Sequence, residues 1–147
     1  MKRILLLGST GSIGVNTSQI IRTFPEEMEI VGLSVNTNID LLEKQIDEFK
    51  PKAVVVRNPV KALELKNKIG SKCEVLSGEE GLIEIASRDN YDILVTALVG
   101  FVGLAPTIEA IKLNKRIALA NKETLVTAGE IVINLCKEHR AELIPID

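Results

Sequence analysis

Gly8-Ser9-Thr10-Gly11-Ser12-Ile13-Gly14 is the stretch from which the architecture of this chain can be worked out. It directly follows the apolar run Ile4-Leu5-Leu6-Leu7 and directly precedes a helix-like run from Asn16 to Thr23. A glycine-spaced turn between a buried strand and a helix start is the setting in which backbone N–H groups hold a pyrophosphate. In that reading Gly11 lets a cofactor approach the main chain, and Gly14 lets the helix pack tightly on the strand. The spacing is GxxGxxG, a variant of GxGxxG, and such turns also occur with no ligand. The place of this one, after a single strand near Met1, favours nucleotide binding over a purely structural turn.

Beyond the turn, short apolar runs alternate with helical patterns. Strands are expected at Arg3–Gly8, Glu29–Val35, Ala53–Val56, Glu74–Leu76, Asp92–Ala97, Arg116–Ala120 and Glu142–Ile146. Their Val, Ile and Leu content without clear alternation indicates strands buried on both faces, as in a parallel sheet. Helices are expected at Ser12–Thr23, Ile39–Phe49, Pro59–Ile69, Glu79–Ser87, Leu104–Leu113 and Thr124–His139. Several carry boundary signals: Pro25 and Pro51 follow two of them, Asn38 caps another, and Pro59 with Gly70 brackets a third. In the second helix Leu41, Leu42, Ile46 and Phe49 form one stripe, the expected core face. The order βαβαβα predicts a Rossmann-like α/β domain over 1–147: a doubly wound, mostly parallel sheet with helices on both faces.

Composition narrows the function classes. With 147 residues, 46% of them apolar, the chain can build one domain with a substantial core. Eighteen basic residues against 20 acidic ones leave no electrostatic footprint for nucleic acid or an anionic membrane. The densest basic cluster, Lys61, Lys66, Lys68 and Lys72, falls on an expected solvated helix and its exit. Cys73 and Cys136 form no CxxC pair and read as small buried thiols of a reducing compartment, which points to the cytoplasm. The apolar run after Met1-Lys2-Arg3 is cut at Gly8, so a signal peptide is rejected. The chain ends at its last expected strand with no helix after it, so it reads as the front of a longer protein.

Ligands of parallel α/β sheets gather at the carboxyl ends of strands. An NAD-specific site usually shows Asp or Glu about 20 residues beyond the glycine turn, on the ribose 2′-OH. Here the second exit reads Leu33-Ser34-Val35-Asn36-Thr37-Asn38, without a carboxylate. The absent charge removes repulsion against a 2′-phosphate, and Asn36, Thr37 and Asn38 offer neutral donors, which predicts NADP over NAD. Asn38 is equally suited to cap the next helix. Glycines at Gly100 and Gly103 fit either a backbone passing close to a cofactor or simple turn chemistry. At the sixth exit, Ala120-Asn121-Lys122-Glu123-Thr124, polar residues end an apolar strand abruptly. Lys122 there suits an anionic group, and Asn121 and Glu123 suit an amide or ribose. The alternative is that Asn121 caps the next helix and Glu123 complements its dipole. Asp147 stands at the seventh exit, where a single carboxylate makes no metal site on its own. His139 reads as structural, at a helix C-terminus that favours a cation.

Other dehydrogenase designs fail over these residues. The only tyrosine, Tyr91, has Val95 four positions later, not the Lys of a short-chain dehydrogenase. No GxxxxGK is present for a P-loop. Neither cysteine falls at a strand exit, as an acyl-enzyme semialdehyde dehydrogenase requires.

The chain resembles the N-terminal NADPH-binding domain of the 1-deoxy-D-xylulose 5-phosphate reductoisomerase family. The resemblance spans the chain and rests on the glycine turn and on Leu119-Ala120-Asn121-Lys122-Glu123-Thr124-Leu125-Val126. Gly100-Phe101-Val102-Gly103-Leu104-Ala105-Pro106-Thr107 and the terminal Pro145-Ile146-Asp147 support it. It implies a catalytic and a C-terminal helical domain after this one. It also implies isomerisation of a ketose phosphate by retro-aldol and aldol steps, then hydride transfer from NADPH, with Mg²⁺ or Mn²⁺ as Lewis acid. The product would be 2-C-methyl-D-erythritol 4-phosphate, on the non-mevalonate route to isoprenoids, and a homodimer is expected at full length. On this resemblance Thr10, Gly11, Ser12 and Ile13 contact the pyrophosphate, and Asn36, Thr37 and Asn38 lie by the adenosine ribose and its phosphate. Asn121 and Glu123 face the nicotinamide half, Lys122 reaches substrate, and Asp147 is the first metal ligand. The family often has Gly-Lys where this chain has Asn36-Thr37, and Thr124 and Ile146 replace a usual serine and valine. It continues after the aspartate with Ser-Glu-His, so the 147 residues alone are expected to be inactive.

Overall fold

The computed structural model describes residues 1–98, 100–120 and 122–145, with backbone alone for 100, 122–128 and 145. The strands are β1 (Lys2–Leu7), β2 (Met28–Val35), β3 (Ala53–Val56), β4 (Glu74–Ser77), β5 (Ile93–Thr96), β6 (Arg116–Leu119) and β7 (Glu142–Pro145). Between them run α1 (Ser12–Thr23), α2 (Ile39–Phe49), α3 (Pro59–Ile69), α4 (Gly78–Ser87), α5 (Leu104–Lys112) and α6 (Lys122–His139). Every described strand pairing is parallel, in the order β4-β3-β2-β1-β5-β6-β7. The chain winds outward from β1 to β4, returns to the other side of β1 at β5, and winds outward again. The expected Rossmann-like, doubly wound sheet is the observed one.

Reversing direction at β1 while keeping one crossover hand puts the two halves of the helix set on opposite faces. The packing follows. Ile4, Leu6, Leu33, Val54 and Val56 face Ile21 of α1, Ile39, Leu42 and Ile46 of α2, and Ala62 and Leu65 of α3. The alternate residues Leu5, Leu7, Val31 and Val55 face Leu82 and Ile85 of α4, Ala110 and Ile111 of α5, and Val132 and Cys136 of α6. Period-two alternation along each strand therefore feeds two cores, both apolar, which is why the strands read as unbroken hydrophobic runs.

Local boundaries differ from the sequence reading in instructive ways. Gly8 is not part of β1: it has turned to φ +85°, a left-handed conformation that glycine adopts without strain. The start of α6 lies at Lys122, not Thr124, so Lys122 and Glu123 open a helix. Lys and Glu are good helix formers, and Glu in a first turn complements the dipole. The core stripe of α2 is Ile39, Leu42 and Ile46 with the polar Gln45 among them, while Leu41 and Phe49 are only half-buried. Short 3-10 turns at Gly70–Lys72 and Gly100–Gly103 had no counterpart in the sequence reading. Both cysteines are free and buried, and burial pushes the Cys73 thiol up to about 11. Tyr91 is fully buried and donates its hydroxyl to Ala86 O at 2.7 Å, a structural role. No helix among the described residues is long and apolar enough to cross a membrane.

Candidate functional site

The carboxyl ends of β3, β2, β1, β5 and β6 lie in that order along one edge. Backbone bonds tie the exits together. Gly8 N–H donates to both the carbonyl and the hydroxyl of Ser34 on β2, at 3.1 and 2.9 Å, and Ser9 N–H to Ser34 O at 2.8 Å. On the other side of β1, Ala97 N–H donates to Leu7 O at 2.9 Å, and Ala120 N–H to Thr96 O at 2.9 Å. From the β2 exit to the β6 exit is a span of roughly 14 Å, given the usual strand spacing. The glycine turn stands near the middle, at the point where the strand order reverses.

The glycine turn is held from beneath by a buried polar strap. Ser9 donates its hydroxyl to Gln45 Oε1 at 2.7 Å, and Gln45 Nε2 donates back to Ser9 O at 3.0 Å. Gln45 sits on α2, so the turn is fixed to β2 through Ser34 and to α2 through Gln45. Gly14 is the contact that seats α1: a Cβ built there would lie 2.1 Å from Gly8 O and 2.7 Å from the Ser9 backbone. Gly11 is the reverse case. A Cβ there would meet nothing within 4 Å, so the space above it is open.

Three helices begin near this centre, and one begins differently. Asn38 caps α2 through Leu41 N–H at 3.2 Å, and Asn58 caps α3 through Lys61 N–H at 3.1 Å. At α1 the cap residue is Gly11, with no side-chain cap and no acidic residue in the first turn. The leading N–H groups of α1 are therefore left for something outside the helix, at the positive end of its dipole. Thr10 and Ile13 are half-buried around this opening, and Ser12 is exposed. A polyanion with acceptor oxygens fits the opening by charge, by hydrogen-bond sense and by the room over Gly11. At the reversal point Thr96 adds a buried hydroxyl with no partner among the described residues.

Of the residues singled out in the sequence, the structure brings Thr10, Gly11, Ser12 and Ile13 beside Asn36, Thr37 and Asn38, with the last three exposed. Lys122 and Glu123 are placed at the backbone only, in the first turn of α6. Asn121 and Asp147 lie outside the described residues. Among the described residues no three His, Cys, Asp or Glu side chains converge as a metal site would need. Sequence reasoning missed Gln45, whose signal was a polar residue on an apolar helix stripe. It also missed Ser34 and Thr96, whose parts depend on which strands are neighbours.

The model of the 1-deoxy-D-xylulose 5-phosphate reductoisomerase family matches residues 4–129. The chain belongs to this family. The reductoisomerase of Caldanaerobacter subterraneus subsp. tengcongensis is 53% identical over 147 residues, covering 100% of this chain and 38% of that protein. The Shouchella clausii reductoisomerase is 49% identical, with 100% and 39% covered. The chain thus spans well under half the length of the curated reductoisomerases it matches. Among solved structures, a reductoisomerase described in complex with NADPH, fosmidomycin and magnesium superposes with a TM-score of 0.95 at 41% identity, over 100% of this chain and 36% of that one. The reductoisomerase of Zymomonas mobilis in complex with NADPH gives 0.93 at 33% identity, over 99% and 38%. At lower identity the same fold recurs in a biliverdin reductase, with a TM-score of 0.62 at 14%.

Proposed function

We propose that this chain is the NADPH-binding domain of a protein that isomerises and reduces 1-deoxy-D-xylulose 5-phosphate. The observation that carries the proposal is the uncapped start of α1 over an open Gly11, in a member of this family. Thr10, Gly11, Ser12 and Ile13 hold the pyrophosphate, with the α1 amides as donors. Asn36, Thr37 and Asn38 receive the adenosine ribose and its phosphate, without a carboxylate to repel the latter. Asn121 and Glu123 take the nicotinamide half. Bound NADPH supplies the hydride; the domain's own work is to fix where it is delivered. Lys122 meets the anionic sugar-phosphate substrate.

Asp147 serves as one ligand of a divalent cation, Mg²⁺ or Mn²⁺. On the family resemblance, the remaining donors are carboxylates of the family's catalytic domain. The near-balanced charge argues against nucleic-acid or membrane partners. Two buried free thiols agree with the cytoplasm. The full-length protein is a homodimer in this reading.

Calorimetric titration of the full-length protein with NADPH and with NADH tests the proposal. NADPH is expected to bind more tightly by about tenfold or more, one charge-assisted contact's worth. Equal or inverted affinities would overturn the cofactor assignment, and absence of NADPH-dependent turnover of 1-deoxy-D-xylulose 5-phosphate would overturn the activity.

A further inference from the structure

Two neighbouring strand exits at the carboxyl edge differ in charge. The β2 exit, Asn36-Thr37-Asn38, carries no cation. The first charge after it is Asp40 in the first turn of α2, exposed and 3.8 Å from Lys68 Nζ. Parallel pairing of β2 with β3, with Val35 opposite Val56, then sets Arg57 beside Asn36. Arg57 N–H donates to Val35 O at 3.0 Å, and Asn58 N–H donates to Asn36 O at 3.1 Å. Some 20 residues separate Arg57 from Asn36 in the sequence (57 against 36), so only the strand order makes them neighbours.

One nitrogen of the Arg57 guanidinium lacks a partner among the described residues. The residue is half-buried, and its Nε is buried with no hydrogen-bond partner among the described residues. It takes part in none of the ion pairs of the described residues. A charged guanidinium that has lost water at one nitrogen and gained no acceptor is costly to keep. An anion with several acceptor oxygens removes that cost, and a phosphate monoester matches the guanidinium fork in two parallel bonds. The starts of α2 and α3 flank this corner and add their positive dipole ends.

We propose that Arg57 is a specificity-determining residue that binds the 2′-phosphate on the adenosine half of NADPH. The proposal rests on the NADPH reading given above. It assigns cofactor choice to a cation on the neighbouring strand, while Asn36, Thr37 and Asn38 shape the ribose pocket. Nothing about the pyrophosphate or the hydride-bearing end depends on Arg57.

The test is calorimetric titration of the full-length protein with NADPH, NADH, adenosine 2′,5′-bisphosphate and 5′-AMP. Arg57→Met is expected to weaken NADPH and the bisphosphate by about 10- to 100-fold. NADH and 5′-AMP should move by less than about twofold, since neither carries the 2′-phosphate. Arg57→Lys, which keeps the charge but loses the fork, should recover part of the loss. Should Arg57→Met fail to fold, Arg57→Lys alone must still weaken NADPH more than NADH. Unchanged NADPH affinity, or equal weakening of NADPH and NADH, would overturn the proposal. A wild-type protein with no preference for NADPH would instead overturn the cofactor reading beneath it, and that result is read before any variant is made.

Discussion

Across the amino ends of the strands, charges are matched side chain to side chain: Arg3 with Asp92, Arg22 with Glu48, Lys72 with Asp47, Arg88 with Glu74, Lys115 with Asp89, Arg116 with Glu142. Across the carboxyl ends, the glycine turn and the β2 exit carry no charged side chain, and open hydrogen-bonding capacity lies in the main chain of α1, the Thr96 hydroxyl and Arg57 Nε. A cleft of about 320 Å³ exists at the amino edge, lined by Lys2, Asp92, Lys115, Arg116, Arg140 and Glu142, but most of its charges already have partners. The carboxyl edge is thus set apart less by charge than by donors left without acceptors. Matched surface pairs contribute little individually and are readily replaced by solvent. Unmatched amides at a helix start stay available at every pH in the working range.

The largest effect is expected at Gly14. Gly14→Ala sets a methyl group against the carbonyl of Gly8, where neither backbone can yield without moving α1 off the turn. The expected loss is about 3 kcal/mol, the upper end of overpacking costs, or roughly 10 °C in Tm for a domain of this size. A thermal melt of the full-length variant measures it. An unchanged Tm would mean that α1 is not seated by this contact.

Gly11→Val probes the same turn with the opposite expectation. The added Cβ meets no protein atom within 4 Å, and φ at Gly11 is −78°, so stability should change by less than about 1 kcal/mol. The branched group does fill the approach to the α1 amides, so NADPH affinity should fall by about tenfold or more. Intact affinity with an intact circular dichroism spectrum would return the turn to a purely structural role. Together the two glycines separate what the turn does for the fold from what it does for a ligand.

The smallest effect is expected at the amino edge. Hydrogen bonds from the Arg3 side chain and then from its backbone N–H hold the Asp92 carboxyl at about 2, below its usual 3.8. A carboxylate with a lowered native value adds stability above its unfolded value, and that stability is lost as pH falls through the native one. Asp92→Asn should therefore flatten the fall in Tm between about pH 4 and pH 2, with a slight loss at neutral pH because the pair is solvent-exposed. Glu48 and Glu74, held below their usual range by Arg22 and Arg88, would keep part of the slope. NADPH binding should not respond, and a response would show the two edges to be coupled.

Much of the fold was legible because local and global signals agree. Buried parallel strands must be apolar on both faces, so β1, β3 and β5 appear as runs such as Ala53–Val56. Helix limits at Asn38, Pro59 and Gly70 carry their own chemistry and were found where expected. The glycine turn was legible for the same reason, since Gly8 and Gly14 each answer a steric demand. What escaped was the product of neighbourhood. Gln45 serves Ser9, 36 positions away, and Arg57 stands by Asn36 only because β3 pairs with β2. The start of α6 was misplaced because Asn121, Lys122 and Glu123 are equally good as loop ligands and as a helix opening.

The paired hydrogen bonds between Ser9 and Gln45 carry a thermodynamic consequence. Since both the carbonyl and the hydroxyl of Ser9 are already engaged, the turn is held in one shape before any ligand arrives. The entropy of ordering it is lost when the chain folds, and the bound state is charged nothing further for it. That same strap makes α2 and the anion cradle one cooperative unit. Heat or denaturant that detaches α2 leaves no half-formed cradle behind, so cofactor retention and the intactness of this half of the sheet should vanish in a single transition.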